Sequence, residues 1–69
     1  MNKFIVPKRI KIKHCEAYGQ AFGNLSYNSE HDVIDAPKPY ANDIKGVWVM
    51  GVGEPVKVLT SEYQILINK

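Results

Sequence analysis

Few residues in this chain have a type and spacing that suit chemistry. A thiol nucleophile needs a base within reach and an electropositive setting that lowers its pKa. Cys15 is the one cysteine, and His14 and His31 are the two histidines. Neighbouring side chains on a strand point to opposite faces, so His14 is turned away from Cys15, and His31 meets it only through the tertiary fold. A lone cysteine more often serves as a small buried hydrophobe. Structural zinc wants closely spaced ligands, and His14, Cys15 and His31, even completed by Asp32, contain no CxxC or HxxxH pair. Glu30, Asp32 and Asp35 offer carboxylates to a hard cation without the glycine-turned oxygen loop of an EF-hand, and read as solvated loop acids. Gly51-Val52-Gly53 lacks the third glycine and following helix of a dinucleotide loop, and the lysine of a phosphate loop is absent as well. The expectation is a non-enzymatic chain with no cofactor and no metal.

Binding chemistry has better candidates. Residues 1–13 carry Lys3, Lys8, Arg9, Lys11 and Lys13 with no acid, whereas residues 14–45 carry Glu16, Glu30, Asp32, Asp35 and Asp43 against Lys38 and Lys45. In a strand, Arg9, Lys11 and Lys13 line one face at roughly 6.6 Å intervals, twice the rise per residue. One reading makes Lys8, Arg9, Lys11 and Lys13 a phosphate-contacting stripe, with Tyr18, Phe22 and Tyr27 as stacking faces for single-stranded nucleic acid. The other makes the lysines a guard against unwanted strand pairing, with the basic strand satisfied by the acidic middle of the chain. A second binding hypothesis uses Pro37 and Pro39, which fix two φ angles, to present Tyr40 as a preorganised contact to a protein partner, in an adaptor or a small inhibitor.

The elements that position these residues follow from periodicity. Val47 to Met50 is a short apolar run closed by Gly51, Gly53 and Pro55, and Val56 and Val58 then alternate with Lys57. This predicts a bulged hairpin over residues 46–59 as the folding centre, with Trp48 as the largest side chain of the core. KRIKIK at 8–13 predicts a strand with Ile10 and Ile12 inward. The window 14–28 is ambiguous. Ala17, Ala21 and Leu25 recur at helical spacing, but Gly19 and Gly23 each cost a helix about 1 kcal/mol. The preferred reading is a first strand running on to about Tyr18, a glycine-containing loop, and a second strand near Asn24–Tyr27. A short β-like piece follows at His31–Asp35, then the proline loop, the hairpin, a tight helical turn at Thr60–Glu62 and an alternating last strand, Tyr63–Ile67. The segment Lys3–Val6, cut off by Pro7, reads as an edge or docked tail that permits either a monomer or an edge-paired homodimer.

Size and composition set the outer limits. Sixty-nine residues make a single domain, residues 1–69, which buries only about 60% of its unfolded surface. A single cysteine allows no internal disulfide. MNKFIVPKRI lacks the apolar core of a signal peptide, and no apolar run approaches the roughly 18 residues of a membrane span. A soluble protein of the reducing cytoplasm is expected, with no membrane partner. The order of five short strands, long early loop, stiff middle loop, bulged hairpin and tight turn resembles the SH3-like small barrels, a class that includes Tudor and KOW modules. KRIKIKHCEAYG bears a loose likeness to the KOW signature. The resemblance implies an all-β fold and carries over no functional residues. The alternatives are an OB-like barrel, or a sheet with one short helix at about 15–25.

Overall fold

The first and fourth strands alternate between a packed face and a wetter one, and the five strands join edge to edge in one antiparallel sheet. The computed structural model describes residues 4–15 and 19–68. The strands are β1 (Arg9–Ile12), β2 (Glu30–Ile34), β3 (Gly46–Met50), β4 (Pro55–Leu59) and β5 (Tyr63–Ile67), in the spatial order β4-β3-β2-β1-β5. β2 changes partner midway. Glu30, His31 and Asp32 lie opposite Lys11, Ile10 and Arg9 of β1, whereas Val33 and Ile34 lie opposite Val49 and Trp48 of β3. The core gathers on one face from Ile10 and Ile12, Val47 and Val49, Val56 and Val58, and Tyr63, with Leu25 added from a loop. β4 and β5 are not paired with each other, so the sheet stays open. The all-β expectation is met; the closure of an SH3-like or OB-like barrel is not part of this sheet.

Several boundaries differ from expectation for local reasons. β1 ends at Ile12 rather than running to Tyr18, because Lys13 and His14 both donate their backbone N–H to the Glu62 carbonyl, at 2.8 and 3.2 Å, which bends the chain off the ladder. Tyr18 lies outside the described residues. The expected strand at Asn24–Tyr27 does not form. Leu25 N–H donates to the Phe22 carbonyl and Ser29 N–H to that of Ser26, so local turns use the groups a ladder would need. Of the alternative helix at 15–25 only a 3-10 turn, Gln20–Phe22, is present in the described part, entered through Gly19 at φ 121°. Residues 4–6 are exposed and join no ladder, while Pro7 is buried. The 3-10 turn at Thr60–Glu62 forms as expected, and the Glu62 carboxylate accepts the Leu59 N–H at 3.1 Å.

The 46–59 hairpin is the largest contributor to the core, but its tryptophan is not inside. Val47 and Val49 face inward against Val58 and Val56, so Trp48 must face outward, opposite Lys57, and it is half-buried there. The loop has a geometric need for glycine at two places. Gly53 sits at φ 83°, and a Cβ on Gly51 would stand 2.2 Å from the Ala21 carbonyl oxygen. That close approach lets Val52 N–H donate to Ala21 O at 2.9 Å, which fastens the Gln20–Phe22 turn to the hairpin. No helix among the described residues is long and apolar enough to cross a membrane.

Candidate protein-binding cleft

The outward face of β3 and β4 carries the one aromatic ring pair found among the described residues. Tyr40 lies on Trp48 with ring centroids 5.3 Å apart and planes inclined by 32°. The arrangement is tilted, and the centroid separation falls within the roughly 4.5–7 Å at which aromatic pairs attract. Tyr40 remains 62% exposed, so one face of the pair is held while much of the tyrosine stays open to solvent. Trp48, but not Tyr40, also lines a cleft of about 610 Å³ together with Phe22, Ala21, Pro55, Lys57 and Glu54 and neighbouring backbone of the Gln20–Phe22 turn. Its apolar walls come from two elements that Gly51 allows to meet. The Trp48 Nε1 atom is buried without a hydrogen-bond partner among the described residues.

Asn42, two residues after Tyr40, ties this loop to the sheet. Its Nδ2 donates to the Ile34 carbonyl at 2.8 Å, and its Oδ1 accepts the Trp48 N–H at 2.7 Å. Ile34 and Trp48 are themselves cross-strand partners, so the side-chain amide is inserted at the mouth of the β2–β3 ladder and bridges two main-chain groups there. Tyr40 N–H donates to the Pro37 carbonyl at 2.8 Å, closing the turn that aims the ring. Asp43 Oδ1 accepts the N–H groups of Lys45 and Gly46 at 2.9 and 3.3 Å and pins the other end of the loop. Of the expected protein-contact residues, Tyr40 joins the ring pair, Pro37 is half-buried and Pro39 is exposed.

The basic strand is arranged differently from a free stripe. Arg9 Nη1 donates to Asp32 Oδ1 at 2.6 Å, and its Nε lies 3.4 Å from Glu30 Oε1. The register explains this, since Asp32 lies directly opposite Arg9 and Glu30 opposite Lys11 on the same face. The hydrogen bond to Asp32, ahead of that to Glu30, raises the guanidinium pKa against a smaller opposing effect of desolvation. Lys8 and Lys13 are exposed and Lys11 is half-buried, and none of the three makes an ion pair among the described residues. The expected stacking set is not assembled in the described part. Phe22 packs against the core and lines the cleft, whereas Tyr27 is 75% exposed in a separate turn.

The other polar candidates do not converge. Cys15 is half-buried against the core, and the His31 ring nitrogen Nε2 lies 2.8 Å from the Ser29 hydroxyl. Ser29 Oγ also donates to the Ser26 carbonyl at 2.6 Å. Desolvation, aided by Arg9 and opposed by a hydrogen bond to the Asn24 backbone, lowers the His31 pKa. No group of three or more His, Cys, Asp or Glu among the described residues is placed to hold a metal.

Two residues that shape the candidate site escaped the sequence reading. Trp48 was legible in principle: the hairpin register that pairs Val47 with Val58 and Val49 with Val56 leaves residue 48 on Lys57's face. Asn42 carried no signal, being one polar residue among several in a loop. No protein-family model, curated protein or solved structure matches the chain.

Proposed function

We propose that this domain is a non-enzymatic protein-interaction module that takes an extended, largely apolar peptide segment of a partner protein in the cleft beside Tyr40 and Trp48. The observation that carries this reading is the ring pair: a tyrosine mostly open to solvent yet held by its contact with Trp48 and by a turn hydrogen bond, in a loop that Asn42 ties to the sheet. Fixed aromatic side chains lose little entropy on binding, and residues of this kind dominate the energetics of protein contacts. Phe22 and Pro55 extend the apolar wall, while Lys57 and Glu54 put one charge of each sign at the cleft. The fold reading that fits is an SH3-like small barrel in open form, supported by the β4-β3-β2-β1-β5 order, the change of partner along β2 and the 3-10 turn before β5. A reducing cytoplasmic setting suits the single thiol, Cys15.

The nucleic-acid reading is weaker because Asp32 and Glu30 stand on the same face as Arg9 and Lys11 and engage Arg9 directly. One experiment separates the two. Peptides are selected against the immobilised domain from a random display library and titrated while Trp48, the sole tryptophan, reports by its fluorescence. Saturable binding is expected, with Tyr40→Ala at least about tenfold weaker, a loss near 1.4 kcal/mol. In a parallel arm, a mixed-sequence single-stranded oligonucleotide is titrated at low and high salt. The proposal fails if no peptide is enriched, or if Tyr40→Ala binds as well as the parent. It also fails if the oligonucleotide binds in a salt-dependent way that Lys11→Glu with Lys13→Glu removes.

A further inference from the structure

The open sheet has two outer strands, and they are built differently. β4 begins with Pro55, which has no N–H, and carries Lys57 at its centre, and its hairpin is fastened to the Gln20–Phe22 turn through Val52 and Ala21. These are the devices by which edges avoid pairing. β5 has no such device over its first residues: YQILI contains neither a charge nor a proline, and Ile65 is 46% exposed.

The hydrogen-bond phase of the sheet decides which groups of β5 point outward. Ile12 N–H donates to Ser29 O on the β2 side, and Ile12 O accepts the Asn28 N–H, so the even-numbered residues of β1 face β2. Lys13 N–H donates to Glu62 O, so the odd-numbered residues face β5. In an antiparallel ladder this phase alternates, and Gln64, opposite Lys11, therefore turns its main-chain groups toward β1. Tyr63 and Ile65 must then turn theirs toward the open side, where no described backbone group pairs with them. Beyond Ile65 the register slips by one residue, with Arg9 opposite Ile67 and Ile10 opposite Ile65, and the regular edge ends there.

We propose that this edge pairs with the same edge of a second copy, antiparallel, about a twofold axis at Gln64. In that register Tyr63 faces the partner's Ile65 and Ile65 the partner's Tyr63 as narrow pairs that exchange both hydrogen bonds, while the two Gln64 residues form the wide pair on the axis. A second copy is the fitting occupant because the edge is self-complementary. No like charges meet across it, and each Gln64 amide offers both a donor and an acceptor to its twin, while Tyr63 keeps its side chain in its own core. The expected edge at Lys3–Val6 is replaced by β5, since residues 4–6 form no strand.

The test is sedimentation equilibrium on the full chain over a range of concentrations, with Gln64→Lys and Gln64→Glu as variants. Gln64 is exposed, and urea unfolding checks that each variant remains folded. The wild type should dimerise, each variant alone should dimerise at least about tenfold more weakly, since like charges then face each other on the axis, and an equimolar mixture of the two should regain the dimer. A wild type that stays monomeric up to about 1 mM, a concentration that exposes associations worth only ~4 kcal/mol, overturns the proposal. So does a Gln64→Lys variant that dimerises like the wild type, or a mixture that does not recover.

Discussion

Replacing Asn42 with alanine removes the amide that joins Ile34 O to Trp48 N–H, and the structure sets the size of the effect. A main-chain group that loses its partner costs about 1 to 3 kcal/mol when fully buried, and these two lie in a half-buried position at the mouth of the ladder. The low end applies to each, giving about 2 kcal/mol together. A domain of this length holds roughly 3 to 10 kcal/mol in all, so the loss is a large share of its stability. With an m-value near 1 kcal/mol/M, the urea midpoint should fall by about 2 M while the slope stays the same. Near-ultraviolet circular dichroism should report the same change at the site, because Tyr40 loses its fixed place on Trp48. Asn42→Asp sharpens the test: it keeps an acceptor for Trp48 N–H, deprives Ile34 O of its donor and sets a carboxylate beside that carbonyl. It should be no more stable than the alanine variant. A loss below about 0.5 kcal/mol for Asn42→Ala, or an Asn42→Asp variant as stable as the parent, would refute the bridging role.

Gly51→Ala should destabilise by about 1 to 3 kcal/mol and shift the Gln20–Phe22 turn away from the hairpin, because the new Cβ meets backbone oxygen rather than a yielding side chain; urea unfolding and amide shifts in NMR read both effects. Trp48→Ala, half-buried and outward, should cost about 1 to 3 kcal/mol, whereas Ile10→Ala, fully buried, should cost about 2 to 5; a larger loss at Trp48 would return that residue to the core. His31 has a folded pKa below its ordinary 6.5, so the unfolded chain binds its proton more tightly. Its contribution to stability is full above pH 6.5 and declines as pH falls through 6.5 toward the lower folded value. Thermal melts across that window should therefore show a shallower loss for His31→Gln than for the parent.

The strands were legible where one physical demand dominated. KRIKIK, the Val47–Val58 hairpin and the Thr60–Glu62 turn each combine a clean alternation or a self-capping acid with an obvious stop, and the fold uses them nearly as read. The segment 19–29 was not legible, because its apolar spacing competes with two glycines and with Ser26 and Ser29, whose local hydrogen bonds outbid both helix and strand. Trp48 was misplaced by size: a large aromatic suggests a core, but the register leaves it facing Lys57, and the core is built from isoleucine and valine instead. The charge asymmetry between chain end and middle was visible, yet only the pairing of β1 with β2 brings Arg9 to Asp32 and Glu30. What no sequence rule supplies is a side-chain amide standing in for a ladder bond, since its partners come from two strands on either side of the loop.

The cleft and the open edge lie at opposite ends of one sheet, β3 and β4 at one side and β5 at the other, and that separation has a consequence for binding. If β5 pairs with its own copy, the dimer carries two clefts, and no residue of β5 lines either of them. A partner carrying two copies of the recognised segment on a linker long enough to span them then binds the second one intramolecularly, with a gain of about 100-fold or more over a single segment. A partner with one segment gains nothing. Gln64→Glu should therefore abolish the advantage of a two-segment peptide while leaving the affinity of the single-segment peptide unchanged, and Tyr40→Ala should weaken both. Trp48 fluorescence titrations of the two peptides against the three proteins give the comparison directly. If the Gln64→Glu variant keeps the two-segment advantage, the gain does not come from β5 pairing, whatever the cleft binds. If it loses affinity for the single segment as well, edge and cleft are not independent and the placement argued from the strand order is wrong.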